Sequence, residues 1–154
     1  MAAFETADPT SPTAAPALHP SGPLPVHGAP VGRTVRVPLG ETGFSVFPLI
    51  LGGGEFGWHV DIAAAHAILD RYVDRGGNAL HTSDSYAAGR SEHAIGRWMA
   101  ARRNRDDIVL TVRVGRGADN PGLGPVNLVR AVEASLIRLG TDRIDVLSLD
   151  GTSD

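Results

Sequence analysis

Residues Gly76–Trp98 read GGNALHTSDSYAAGRSEHAIGRW, and this stretch decides the fold of the chain. Its glycine pair is typical of the end of a helix, because glycine readily adopts the left-handed backbone that closes a last turn. Ala79–His81 is a short apolar run that suits a buried strand. Ser91 and Glu92 then open a second helix, whose apolar residues recur at helical spacing. The stretch therefore places a strand between two helices, which is the repeating unit of a parallel α/β sheet.

The same alternation continues on both sides of this stretch. A glycine-containing turn between two β-prone segments predicts a hairpin over Thr34–Val46. Three helices are predicted, one capped by Asp61, one opened by Ser91 and one begun by Pro125. They separate four predicted parallel strands, which pair in chain order with the helices on one side: Pro48–Leu51, Ala79–His81, Ile108–Val114 and Ile144–Leu149.

The composition excludes several classes of function. The 154 residues contain no cysteine, which excludes disulfides, thiolate chemistry and a cysteine-ligated zinc site. All 14 basic residues are arginine, so no lysine side chain can form a Schiff base with a carbonyl substrate. The formal net charge is −3, so we predict no nucleic-acid partner.

The first 33 residues differ from the rest of the chain. They hold seven of the 11 prolines and little apolar periodicity, so we predict a disordered tail. Glu5 and Asp8 stand where a secretory signal would carry basic residues, and no apolar segment follows them. No later run approaches the ~20 apolar residues that cross a bilayer. We therefore predict a cytoplasmic protein with no membrane partner, folded over residues 34–154.

The deciding stretch resembles a motif of the aldo-keto reductases, G-x-N-x-x-D-T-A-x-x-Y-x-x-G-x-S-E-x-x-x-G, in which these residues fall in register: Asn78, Thr82, Tyr86, Gly89, Ser91, Glu92 and Gly96. Leu136–Asp145, reading LIRLGTDRID, looks like a second signature of that family. Its members are (β/α)8 barrels that reduce carbonyls with NADPH. The resemblance implies a partial TIM-type barrel of four strands, with the hairpin closing its bottom. It also implies that Gly52 and Gly53, after the first strand, approach the cofactor.

Three of the four catalytic positions implied by the resemblance carry other residues. Tyr86 matches the tyrosine that donates a proton to the carbonyl oxygen. His81 stands in place of the family's aspartate, Arg113 in place of its lysine and Asp150 in place of its histidine. All four end strands or follow them, so we expect them at one mouth of the barrel, with Arg113 paired to Asp150. Asp84 is expected to form a turn rather than to act as a base.

These substitutions leave three functional interpretations open. In the first, the chain is a truncated aldo-keto-reductase-like pseudoenzyme, or a small binding or scaffold protein with a small-molecule ligand, and it does not bind NADPH tightly by itself. In the second, it is the N-terminal part of an NADPH-dependent oxidoreductase. In the third, His81, Tyr86 and Asp150 perform non-redox acid–base chemistry in a dimeric barrel. A half-barrel has two open sheet edges, so a homodimer is also expected.

Overall fold

The computed structural model describes residues 32–151. Nearly all of the predicted disordered tail, residues 1–33, lies outside the described residues. Within them, no helix combines the length and the apolar character that crossing a membrane requires. The tail and the cytoplasmic location therefore stay predictions.

An antiparallel hairpin precedes the main sheet. Its strands are β1 (Val37–Pro38) and β2 (Ser45–Val46), and two glycines of the connecting turn take positive φ angles. The Val46 side chain is buried against Ala79 and Val109, which begin two strands of the main sheet. The hairpin therefore covers the N-terminal end of the sheet, which is the bottom of a barrel of this kind.

Four parallel strands form the main sheet in chain order: β3 (Leu51–Gly52), β4 (Ala79–Ser83), β5 (Val109–Val114) and β6 (Val146–Leu149). In the central pair, Leu80 lies opposite Leu110, and the ladder extends over the whole of β4. The last pair begins with Thr111 opposite Val146. The predicted parallel sheet and its sequential strand order are confirmed.

Three helices connect these strands: α1 (Ile62–Asp74), α2 (Arg90–Arg102) and α3 (Pro125–Leu139). The Asp61 carboxylate caps α1 by accepting the Ala64 N–H at 2.8 Å. Pro125 begins α3, where its missing N–H leaves no helix bond unmade, and Gly140 ends it with a φ of 62°. The start of α1 and both ends of α3 therefore lie where the local capping signals predict them. Helix α2 instead begins at Arg90, one residue before the predicted Ser91.

The hydrophobic core lies between the sheet and the helices. Its largest fully buried apolar side chains come from both layers: Leu69, Ile95, Trp98 and Leu139 from the helices, and Leu80, Leu110, Val112 and Val114 from the sheet. Burying one such side chain contributes about 1.5–3 kcal/mol to folding. Gly96 lets α2 approach α3 closely, because a Cβ there would overlap the Leu139 carbonyl oxygen.

The first strand of the sheet differs from its prediction. The apolar run predicts a strand over Pro48–Leu51, but the ladder begins at Leu51. Leu49 and Ile50 are 61% and 42% exposed. Proline has no N–H to donate to a neighbouring strand, and the Leu49 carbonyl accepts instead from the Tyr72 hydroxyl at 2.6 Å. The run is apolar, yet these backbone bonds keep its first residues out of the sheet.

Candidate functional site

The concave face of the sheet, opposite the helices, carries the candidate site. Side chains alternate between the two faces of a strand. Val112 is fully buried against the helices, so its neighbour Arg113 points to the concave face. The Thr82 hydroxyl contacts the Ser91 hydroxyl of α2 at 2.8 Å, so the neighbouring His81 also faces the concave side.

Arg113 is the centre of the site. Its Nε atom lies 3.2 Å from Asp150 Oδ2, and its Nη2 donates to the Tyr86 hydroxyl at 3.4 Å. The contact with Asp150 joins opposite charges without hydrogen-bond alignment, because the buried Nε has no hydrogen-bond partner within residues 32–151. The structure thus brings Tyr86, Arg113 and Asp150 together, although they come from three different strand ends.

His81 completes the group of four. Its ring lies edge-on to Tyr86, with the two ring centroids 5.9 Å apart. Burial lowers the pKa of His81 below its ordinary value of 6.5, and the positive charge of Arg113 lowers it further. The imidazole is therefore neutral near pH 7 and can accept or donate a hydrogen bond. The four predicted site residues lie together at the C-terminal ends of the strands. Their catalytic or binding roles stay predictions.

Arg116 belongs to the same site, although the sequence analysis above does not identify it. It lies in the loop after β5, and its Nε is 3.3 Å from Asp150 Oδ1. Asp150 is therefore placed between two guanidinium groups, those of Arg113 and Arg116. The signal in the sequence is a second arginine just beyond the strand, in the segment RVGR.

Asp84 holds in place the loop that follows β5. Its side chain is buried, and its Oδ2 accepts the Gly115 N–H at 3.0 Å. A Cβ on Gly117 would lie 2.8 Å from the same oxygen, so this loop passes close over the carboxylate. Asp84 therefore holds the loop that carries Arg116, a positioning role that extends the turn former expected from the sequence.

The turn that carries Tyr86 has a strained backbone. Ala87 and Ala88 have φ angles of 50° and 54°, and Gly89 follows with 82°. A left-handed backbone costs a non-glycine residue about 1–2 kcal/mol. Strain of this kind persists only where surrounding contacts hold the chain in one conformation. Here it fixes the direction in which the Tyr86 side chain leaves the turn.

The two glycines expected at the cofactor differ in their surroundings. A Cβ on Gly52 would meet no atom within 4 Å, so its backbone is open to a ligand. A Cβ on Gly53 would lie 2.7 Å from the Ser91 hydroxyl oxygen and 3.1 Å from Ile95, so this glycine is required for packing against α2. The structure therefore gives Gly53 a packing reason, whereas Gly52 remains a candidate for cofactor contact.

The hairpin, the strand order and the strand-end site together match a known architecture. The model of the aldo/keto reductase family matches residues 48–152. The chain belongs to this family. The predicted family is thereby confirmed, and so is the fold, because solved aldo-keto reductases superpose on it with TM-scores of 0.66–0.68.

Three similar proteins show how much of the family this chain covers. Norsolorinic acid reductase B of Aspergillus parasiticus is 38% identical, over 66% of this chain and 31% of that protein. An uncharacterized 11.2 kDa protein of Pseudescherichia vulneris is 41% identical, over 50% of this chain and 82% of that protein. An aldo-keto reductase of Bacillus halodurans, solved in its holo form, has a TM-score of 0.68 and 31% identity, over 77% of this chain and 40% of its own. The chain spans about a third of the length of the Aspergillus reductases that it matches.

Aldo-keto reductases generally use NADP(H), and the described residues fit this cofactor poorly. Of the two glycines expected at the cofactor, only Gly52 has a backbone that is open to a ligand. Around Tyr86, a permanently charged guanidinium and a neutral imidazole stand where the family has a lysine and an aspartate. Among residues 32–151, no three His, Cys, Asp or Glu side chains are grouped to hold a metal ion. A ligand at this site would therefore interact with the charges and the hydrogen-bonding groups of the side chains.

Proposed function

We propose that this chain is an aldo-keto reductase family module that binds a small molecule at its strand ends and does not by itself perform ordinary NADPH-dependent carbonyl reduction. One observation carries the proposal: Arg113 contacts both Asp150 and Tyr86 from the position of the family's lysine. A guanidinium stays protonated at physiological pH, so it cannot exchange a proton with the phenol. Its planar fork of donors suits the recognition of an anion.

The extent of the sheet supports the same proposal. The resemblance to the family places most contacts to NADPH after the fifth to eighth strands of a full barrel. The described residues supply four parallel strands of such a barrel. A cofactor held by these residues alone would lack most of those contacts, so its affinity should be low.

Titration with NADPH tests the proposal directly. The purified full chain is titrated by calorimetry and by nucleotide fluorescence, with the Bacillus halodurans aldo-keto reductase as the positive control. We expect a dissociation constant weaker than about 1 mM, or about −4 kcal/mol. A dissociation constant in the low micromolar range, on the order of −8 kcal/mol, would overturn the proposal and favour the N-terminal part of an NADPH-dependent oxidoreductase.

A reversion variant separates the catalytic positions from cofactor binding. The triple variant His81→Asp, Arg113→Lys and Asp150→His restores the residues that the family has. We expect it to oxidise no NADPH in the presence of an aromatic aldehyde, because the cofactor contacts are still absent. Turnover by this variant, with none by the natural chain, would show that the substituted side chains alone block reduction.

A second candidate function is non-redox acid–base catalysis, which the neutral His81 beside Tyr86 favours. A neutral imidazole can accept a proton near pH 7, and a phenol can donate one. Exchange of the α-protons of small ketones with D2O, followed by NMR, measures this activity. We expect His81→Gln to remove any exchange above the protein-free rate. If the natural chain shows no such exchange, this candidate is wrong.

A further inference from the structure

Asp150 is a carboxylate shared by two arginines. Its Oδ2 lies 3.2 Å from Arg113 Nε, and its Oδ1 lies 3.3 Å from Arg116 Nε. Within residues 32–151, no other acidic side chain lies within salt-bridge distance of either guanidinium. Two positive charges therefore face one negative charge, and the group keeps an excess of one positive charge at the strand ends.

The other ionisable side chains nearby do not cancel this excess. His81 is neutral near pH 7, because burial and Arg113 both lower its pKa. The Asp84 carboxylate is buried, accepts the Gly115 amide and lines a separate cavity with Arg138. The Arg113 and Arg116 side chains are 34% and 57% exposed, so a small anion in solution can reach both of them.

We propose that Arg113 and Arg116 together bind the carboxylate group of a small molecule, and that Asp150 occupies the two guanidiniums when this ligand is absent. The inference rests on the proposed function for the location of the site, and it adds the chemical class of the ligand. Asp150 demonstrates that a carboxylate fits between the two side chains. Each guanidinium presents a planar fork that matches the two oxygens of a carboxylate.

Two features of Arg113 strengthen this assignment. Its buried Nε atom has no hydrogen-bond partner among the described residues, and a buried donor without a partner is costly. A better aligned carboxylate would satisfy that donor, which the Asp150 contact leaves unsatisfied. The Nη2 atom of Arg113 also reaches the Tyr86 hydroxyl, so a carboxylate bound here lies next to the phenol.

The test is a titration of the full chain with sodium acetate and sodium benzoate at constant ionic strength. Binding is followed through the arginine side-chain Nε–H signals in ¹⁵N-edited NMR spectra, with sodium chloride as the salt control. Asp150→Asn removes the internal carboxylate and keeps its shape, whereas Arg116→Gln removes one exposed fork. Arg97→Gln, an exposed arginine of α2, is the matched control. Thermal melting of each variant establishes that it is folded.

We expect benzoate to bind the natural chain. Asp150→Asn should bind benzoate about tenfold more tightly, because the competing internal carboxylate has been removed. Arg116→Gln should bind it about tenfold more weakly, because one of the two positive charges has been removed. Arg97→Gln should bind like the natural chain. Arg113→Lys keeps the charge but loses the fork, so it should also weaken binding. Equal affinity in the natural chain and Arg116→Gln, or no gain in Asp150→Asn, would overturn the inference. Tight NADPH binding with this carboxylate profile intact would instead overturn the proposed function alone.

Discussion

The Arg113 guanidinium carbon lies 5.3 Å from the centroid of the Tyr86 ring, and its Nη2 atom donates to the tyrosine hydroxyl at 3.4 Å. One cation therefore contacts both the π face and the oxygen of the same phenol. Tyr86 is at the catalytic position where the chain keeps the residue of the family, and Arg113 is at a catalytic position where the residue differs. Any substitution of Arg113 must consequently alter the surroundings of Tyr86 as well as those of Asp150.

The charge of Arg113 leads to a prediction about His81. Burial and then Arg113 lower the pKa of His81 below 6.5 in the folded chain. The unfolded chain therefore binds more protons in the pH window just below 6.5, so folding stability falls as the pH drops through this window and recovers as it rises. Arg113→Gln should raise the pKa of His81 and flatten this dependence.

Imidazole NMR titration and urea unfolding between about pH 5 and 7 measure both effects. A His81 titration that is unchanged by Arg113→Gln would contradict the prediction.

A second prediction concerns Asp70 of α1, which bridges to α2. Its Oδ1 accepts the Trp98 indole N–H at 2.8 Å, and its Oδ2 lies 2.6 Å from Arg102 Nη2. The hydrogen bond from Arg102, followed by that from Trp98, lowers the pKa of Asp70 from 3.8 to about 2. Its contribution to stability is therefore complete above about pH 4 and is lost as the pH falls toward about 2. Because both charged side chains are well exposed, solvent screening limits this contribution to roughly 1 kcal/mol or less.

Two variants separate the charge of Asp70 from its role as an acceptor. Asp70→Asn keeps an oxygen for the Trp98 indole and should lose up to about 1 kcal/mol of unfolding free energy at pH 7, and less near pH 3. Asp70→Ala should lose about 1 kcal/mol more at both pH values, because the buried indole N–H then has no partner. Urea unfolding at the two pH values is the measurement. If Asp70→Asn loses the same amount at both, the assigned cause is wrong.

The strained turn after β4 gives a third prediction. Ala88 is exposed and has a φ of 54°, which glycine adopts without steric cost. We expect Ala88→Gly to raise the unfolding free energy by about 0.5–1 kcal/mol, since relief of the left-handed strain exceeds the added entropy of the unfolded chain. The control is Ala100→Gly in α2, which should lower stability by about 1 kcal/mol. Thermal and urea unfolding compare the two, and a destabilised Ala88→Gly would show that the turn holds no such strain.

The open edge of β6 gives a fourth prediction, which concerns the homodimer. Leu147 and Leu149 are 43% and 55% exposed, and β6 pairs only with β5 among the strands of residues 32–151. We propose that a second copy covers this edge, because unpaired backbone groups beside apolar side chains favour pairing with another strand. Light scattering after gel filtration should show a dimer for the natural chain and a monomer for Leu147→Arg. Ala100→Arg, on the exposed side of α2, should remain dimeric, and a monomeric natural chain would contradict the prediction.

The sequence by itself determined the order of the elements, most of their ends and the family. Asp61 caps α1 through a bond to Ala64, and Gly140 ends α3 in a left-handed conformation. Each of these capping signals depends on residues only a few positions apart, so the local sequence is enough to predict it. The Gly76–Trp98 stretch identified the family for the same reason, since its matching residues share one strand, one turn and one helix.

Only the tertiary structure decided that Arg116 joins the predicted site and how far each side chain is exposed. Arg116 and Asp150 come from a loop and a strand end that are far apart in the chain, and the pairing of β5 with β6 brings them together. Strand β3 also begins later than predicted, because the Leu49 carbonyl accepts a hydrogen bond from the Tyr72 hydroxyl and does not pair with the neighbouring strand. The pairing of residues that are distant in the sequence depends on packing of the whole core, so a local sequence pattern does not predict it. The sequence therefore predicted four residues at one mouth, whereas the fold placed one carboxylate between two arginines there.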